Sequence, residues 1–361
     1  MHARWLDPTA LAPADLDAWR DLAARAAEPN AFFDPAFLVP ALRHLPRERV
    51  RLLAVADGRD WVAALPVQPQ LRRRRLPLPA RATWRHLYGY LGTPLLAEGL
   101  ERPAALTLVD ALRARTGLVT LDLVRSDGPV VAALDAALAE HDLASVVTEL
   151  RDRAALVRRP ANDYVETTLK IKRRRELKRL RKQLTEVLGA EPVTVDRAGD
   201  PEAVDRFLQL EASGWKGRAG TALATARDGD FFRGICAAFA AEGRLQLLAY
   251  GTPERTVAMK CNLLAQDGVF CLKIAHDEEL AKYSPGVQLE VENVDVFHGR
   301  PELAWMDSCA DPDNQMINRL WPDRRSLVSR TYARGGLVGL AVRGEEELVA
   351  SVRRLRKERH A

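Results

Sequence analysis

Cysteine is scarce: the chain has four among 361 residues, at Cys236, Cys261, Cys271 and Cys309, and none in a CxxC spacing. That argues against a disulfide framework of the kind small secreted domains use in place of a core. It also leaves no thiolate set for a zinc site, and the seven histidines are scattered, so no metal is expected. Long hydrophobic runs are missing as well. No stretch approaches the roughly 18 apolar residues of a membrane-spanning helix. The start, Met1-His2-Ala3-Arg4-Trp5, runs into Asp, Pro and Ala rather than an apolar core, so no signal peptide and a cytoplasmic setting are expected.

Acid is scarce in one segment. From Lys170 to Lys182 the chain carries nine basic side chains and one acid, while the net charge of the whole chain is only +5. The basic balance therefore belongs to one element and not to the surface at large. What is present in quantity is the material of a core: 47% of residues are hydrophobic and 29% charged. A single core rarely grows past about 250–300 residues, so two domains are expected.

The pattern along residues 1–150 alternates. Residues 50–56 and 61–66 read as a strand pair around Asp57-Gly58, 84–90 and 118–124 as further strands, 103–115 and 130–140 as helices, and 145–150 as a closing strand. Residues 172–188 read as one helix, with Leu177, Leu180, Leu184 and Leu188 in a single stripe, ended by Gly189. In the second half, Asp200-Pro201 opens a helix to about 213, and 230–241 is another. Three strands, 244–250, 256–264 and 269–275, precede the turn Tyr283-Ser284-Pro285-Gly286 and a helix over 287–298; residues 303–306 and 326–332 are short strands, and 345–359 a basic helix. The fold class is α/β. We place the domains at 1–168 and 191–333, with a basic connecting helix at 169–190 and a helical tail at 334–361.

Several residues break local rules. Glu211 continues the buried stripe of Val204, Phe207 and Leu208, so it either faces a cleft or sits at the edge of the stripe beside a Lys or Arg. The loop that follows, from Ser213 to Leu223, mixes glycines, bases and Trp215, as loops over ligands do and as plain surface loops also can. If residues 265–268 form a four-residue turn, Lys260 faces Lys273 across the hairpin. Two opposed ammonium groups call for a carboxylate or a bound anion between them, unless both point into water or the register differs. Ser284 suits an N-cap and Pro285 the first helical position. A helix N-terminus after a strand is an anion site, where Gly286 admits close approach.

Three ordered blocks then carry a resemblance. They are Phe207-Leu208-x-Leu-Glu211-x-x-Gly214-Trp215-Lys216-Gly217-Arg218-x-Gly220-Thr221-Ala222-Leu223; Leu272-Lys273-x-Ala275-x-Asp277-Glu278-x-x-x-x-Tyr283-Ser284-Pro285-Gly286; and Asp307-Ser308-Cys309-Ala310 with Leu320-Trp321. Over roughly residues 170–325 the chain resembles the bacterial BioF2-like or CelD-like acetyltransferases of the GNAT superfamily. The resemblance implies two GNAT-like lobes, each a mixed, mostly antiparallel sheet flanked by helices. It implies acetyl-CoA as donor, lying along residues 270–275 with Ile274 near the oxyanion and the pyrophosphate at Ser284, Gly286 and Val287. Glu211 or Asp277 would act as base, Lys273 and Lys260 would hold phosphate or acceptor, and Tyr283 would protonate the leaving thiolate. Trp215, Lys216 and Arg218 would shape the acceptor pocket, and Asp307 would orient a lysine. The Gln/Arg-x-x-Gly-x-Gly/Ala signature common at GNAT donor turns is absent here. Tandem GNAT-like lobes also resemble FemAB-type transferases, which take aminoacyl-tRNA; the Lys170-to-Lys182 segment would then contact nucleic acid, or else it is a solvated helix packed by one face. A non-catalytic scaffold is the third alternative. The acceptor is a small molecule, glycan or peptide.

Overall fold

The computed structural model describes residues 1–46, 49–70, 78–114, 117–141, 143–220, 222–224, 226–334, 340–345 and 347–348. In chain order it contains β1 (His2–Leu6), α1 (Pro13–Ala24), α2 (Pro35–His44), β2 (Arg51–Asp57), β3 (Asp60–Gln70), β4 (Ala80–Thr83), β5 (Leu95–Leu96) and α3 (Glu101–Arg113). β6 (Leu118–Arg125), α4 (Pro129–Ala139), β7 (Leu143–Val157), α5 (Tyr164–Thr168), α6 (Ile171–Leu188), β8 (Val193–Asp196), α7 (Ala203–Ser213), α8 (Trp215–Arg218) and α9 (Ala226–Ala241) follow. The chain closes with β9 (Leu245–Gly251), β10 (Thr256–Ala265), β11 (Gly268–His276), a 3₁₀ turn (Glu278–Tyr283), α10 (Pro285–His298), β12 (Trp305–Asp307), α11 (Gln315–Leu320) and β13 (Asp323–Arg334).

Two units divide these elements. One takes residues 1–35, 47–151 and 326 onward; the other takes 36–46 and 152–325. In the first, β1, β2, β3 and β4 pair antiparallel in sequence, β4 pairs parallel with β6, and β6 pairs antiparallel with β13. In the second, β8, β9, β10 and β11 pair antiparallel in sequence, β11 pairs parallel with β12, and β12 pairs antiparallel with the end of β7. The pattern is the same in both, so the α/β reading with two like lobes holds.

The expected boundaries shift for physical reasons. α6 is not a connector: Leu177, Leu180 and Leu184 are buried inside the second unit, and Leu177 packs in one cluster with Tyr164, Leu169, Phe297 and Trp321. β13 belongs with the first unit from Ser326 on, because Leu327 to Ala333 pair with β6. Residues 36–46 belong to the second, where Phe37 meets Phe231 edge-on at 5.4 Å. The strand expected at 84–90 is a loop that buries Trp84 and Tyr88. α7 starts at Ala203, while Asp200 Oδ1 receives the Glu202 N–H. Of the helix expected at 345–359, residues 345, 347 and 348 are helical, continuing 340–344 before them, and 346 and 349–361 lie outside the described residues.

Candidate functional site

The second unit is organised around one irregular strand. β11 pairs with β10 along its whole length, but with β12 only at Gly268↔Trp305, Val269↔Met306 and Phe270↔Asp307. From Cys271 on, no described strand covers that edge. The pairing with β10 explains where the two strands part: Asn262 faces Cys271, yet Cys261 faces Lys273. Leu272 is the extra residue of a β-bulge, which bends a strand and ends regular pairing. Gly268 lets the strands meet at the other end, since a Cβ there would lie 2.0 Å from the Trp305 ring.

The bulge also overturns the opposed lysines. Lys260 faces Ile274, and Lys273 faces Cys261, so the two ammonium groups project from opposite faces. Lys260 is 3% exposed and donates to Glu290 Oε1 at 2.7 Å. Burial pushes its ammonium down, the Cys271 sulfur and the Glu290 carboxylate push it up, and the balance is upward. It is a buried ion-pair partner and not an acceptor ligand. Burial drives the neighbouring Cys271 thiol up to about 12, which removes it as a nucleophile near neutrality.

On the other face Lys273 meets α7. Its Nζ lies 3.8 Å from Glu211 Oε1, and Glu211 Oε2 accepts the Leu223 N–H at 2.7 Å. Glu211 is almost fully buried while Lys273 is 22% exposed, so the pair is open to solvent from the lysine side. Glu211 therefore has the basic partner that one of its two expected readings calls for, and it also holds the loop that follows α7. Gly214 sits against Glu278, whose carboxylate would be 2.6 Å from an added Cβ, and Arg218 Nη2 donates to Glu278 Oε2 at 2.6 Å. Trp215 and Lys216 belong to α8, with side chains outside the described residues. Asp277 is committed elsewhere: Oδ1 caps the 3₁₀ turn by accepting the Glu279 N–H at 3.0 Å, and Oδ2 pairs with Arg255 at 2.5 Å.

The α10 face holds the turn. Ser284 stands at the N-cap in the left-handed region, φ 54°, and its hydroxyl makes no capping bond. The N–H groups of Val287 and Gln288 both turn back to the Ser284 carbonyl at 3.1 Å, and Pro285 has none, so in this first turn the Gly286 N–H is left without a partner among the described residues. Tyr283 packs with Leu184, Tyr250, Leu280 and Leu289 in a cluster that also holds Ile274. That cluster is on the α10 face, so the structure does not bring Tyr283 beside Lys273 and Glu211. Asp307 contacts no lysine. It is fully buried between Arg153 at 2.7 Å and Arg325 at 3.1 Å. Burial raises its carboxyl, the two guanidinium groups lower it more, and the net position is below the ordinary 3.8.

Beside the α10 N-terminus lies a cleft of about 750 Å³ lined by Val287, by α11 and by the start of α6. Lys170, Arg173 and Arg319 line it, and among the described residues no carboxylate does. None of the three makes an ion pair among the described residues. Sequence reasoning gives Lys170 and Arg173 only as part of a basic rod; the scarcity of acid there is the available signal. Arg319 carries no signal, since only the tertiary fold brings α11 to α6.

Among the described residues, no helix is long and apolar enough to cross a membrane, and no group of three or more His, Cys, Asp or Glu could hold a metal ion. A strand splayed from its parallel neighbour, with a helix N-terminus beside the opening, in two units of like pattern, defines a tandem GNAT-like fold. Residues 172–312 match the model of the acetyltransferase (GNAT) domain. No curated protein matches the chain. Among solved structures, FemX is similar with a TM-score of 0.60 at 10% identity, over 92% of this chain and 97% of that one. L-PGS from Bacillus licheniformis gives 0.55 at 10% identity, over 93% and 96%. A conserved protein from Bacteroides thetaiotaomicron gives 0.54 at 12%, over 90% and 98%. At these identities the likeness is one of fold, and the fold is the FemAB-related tandem GNAT-like one.

Proposed function

We propose that the second unit is an acyltransferase that moves an acyl group from an acyl-CoA, acetyl-CoA in the simplest case, to an amine or hydroxyl. What supports this is the cleft lined by Lys170, Arg173 and Arg319 together with Val287 of the α10 first turn, with no carboxylate among its described lining; such a set suits the phosphates of a CoA. The thioester arm would then run to the uncovered edge of β11, where a backbone N–H near Ile274 would take the developing oxyanion. A neutral acceptor nitrogen attacks the thioester carbonyl from the Lys273–Glu211 face. The N–C bond forms, the C–S bond breaks, CoA leaves as the thiolate, and the acceptor proton passes to Glu211. Lys273 lies 3.8 Å from Glu211 Oε1 and meets the acceptor at the solvent-open side of the pair. The acceptor is a small molecule, glycan or peptide, and the setting cytoplasmic.

Glu211→Gln keeps the Leu223 hydrogen bond and removes the base, so turnover with saturating acetyl-CoA should fall about 10²–10⁴-fold. Full turnover in that variant, measured by thiol release, would sink the base assignment.

A second class of donor is favoured by one observation: the exposed bases Lys172, Arg175, Lys178 and Lys182 continue along α6 from the cleft. Such a track suits an aminoacyl-tRNA, whose binding would weaken steeply with salt. Calorimetry separates the two. Binding of CoA but not tRNA at low salt supports the acyl-CoA donor, the reverse supports the tRNA donor, and binding of neither supports a scaffold.

A further inference from the structure

Between the sheet and α10 of the second unit lies a polar layer that the proposed reaction does not use. Lys260 and Asn262 project from β10 on the face opposite Lys273. Lys260 bonds Glu290 at 2.7 Å, and Asn262 Nδ2 donates both to Gln246 Oε1 at 2.8 Å and to Asn293 Oδ1 at 2.9 Å. All five side chains are at least 95% buried. On α10, Glu290 and Asn293 are three residues apart and so share a face. Nearer the start of the helix, Gln288 accepts from the Tyr250 hydroxyl at 2.7 Å and donates to the Tyr283 carbonyl at 2.8 Å.

The layer is not built for stability alone. Glu290 Oε2 and Asn262 Oδ1, both buried, have no hydrogen-bond partner among the described residues. Unmet acceptors weigh against folding, and a buried ion pair is often replaceable by apolar residues of similar volume without loss. What an apolar interface cannot supply is direction. The other buried contacts of α10, through Leu289, Val294 and Phe297, are apolar and permit sliding and rotation. A slide of one residue would move the helix end by about 1.5 Å. The end in question carries Gly286 and Val287, and Val287 borders the basic cleft.

We propose that Lys260 and Glu290 are positioning residues that fix α10 in register on β10, and thereby place its first turn for the donor phosphates. The assignment rests on the donor site proposed above. Asn262 and Asn293 supply a second, weaker pin one turn further along.

The test uses the full chain and the double variant Lys260→Met/Glu290→Leu, which swaps the pair for apolar groups of similar size. Val294→Ala, a cavity in the same helix, is the control. The double variant should keep its melting temperature within a few degrees, bind CoA at least about tenfold more weakly by calorimetry, and exchange backbone amides faster in the peptide 285–298. The control should lose stability and keep both CoA affinity and first-turn protection. A double variant that matches the wild type in α10 amide exchange overturns the positioning role whatever the ligand. If the wild type binds no CoA, the donor site fails and exchange alone decides the positioning role. If the double variant does not fold, Asn293→Ala replaces it. An about threefold weaker CoA affinity with faster exchange then supports the pin, and wild-type values for both overturn it.

Discussion

The two units share five strand pairings in the same order and sense, yet they treat the opening beside the parallel pair in opposite ways. In the first unit, β4 and β6 meet at only Arg81↔Val119 and Ala82↔Thr120, and a loop then seats itself on β6. Gly92 N–H donates to the Leu123 carbonyl at 3.0 Å, Thr93 Oγ1 accepts the Arg125 N–H at 2.9 Å, and Asn30 donates to the Thr93 carbonyl at 2.7 Å. Trp84, Tyr88 and Leu91 close over it, each 4% exposed. The next helix, α3, begins with its own carboxylate at Glu101. In the second unit no described strand covers β11 beyond its short pairing with β12, and the helix that follows, α10, has no acid in its first turn. One topology is thus filled by its own chain in one copy and left without a described covering strand in the other. The two units differ in the connection after the fourth strand, not in the order of the sheet.

That contrast can be broken. The largest effect should come from Arg173→Glu with Arg319→Glu. Each replaces a charge-assisted contact of about 1.5–3 kcal/mol by repulsion, so CoA affinity should fall at least about 100-fold with the melting curve unchanged. Retained affinity would mean the open copy is no more a donor site than the filled one. Gly92→Ala attacks the filled copy. Its Cβ would lie 2.0 Å from the Asp122 carbonyl, so the loop must shift; stability should drop by about 1–3 kcal/mol while CoA affinity holds. Lost affinity in that variant would show that the two copies do not act separately.

The smallest effect concerns acid. Burial against Trp84 depresses the His86 imidazole from 6.5 to about 4. A base depressed in the folded state contributes stability above its unfolded value, and that contribution is lost as pH falls from about 6.5 toward 4. Asp307 is lowered from 3.8, so its contribution is lost only below that value. Amide exchange followed from pH 7 downward should therefore show the segment around His86 loosening before the segment around Asp307. The opposite order would contradict both assignments.

The sequence shows most of what is periodic. The α6 stripe, the hairpin of β10 and β11, and the turn into α10 follow from spacing and from Pro285 and Gly189, which act locally. It does not show Leu272 as a bulge, because no Gly or Pro marks it. A register counted back from the hairpin turn therefore slips by one residue beyond Leu272, and that slip sets Lys260 opposite Lys273 when the two lie on different faces. Nor can the sequence show pairings that only folding creates. Asp307 bonds arginines 154 and 18 positions away, and Arg319 reaches the cleft from a six-residue helix with no pattern of its own. Glu211 is legible as an anomaly in a stripe, since a buried acid needs a partner; that the partner is Lys273 is not.

Neither unit is a continuous piece of chain. The first lacks its last strand until Ser326 and the residues after it arrive, and the second draws residues 36–46 from far upstream. During synthesis at roughly 5–20 residues per second, residues 47–151 would wait about ten to thirty seconds for β13 to emerge. Until then β6 presents an unpaired edge, and the apolar residues of α2 have nothing to pack on. The two halves consequently mature together, once the residues from Ser326 on have emerged, and a polypeptide severed anywhere between them would leave both unfinished.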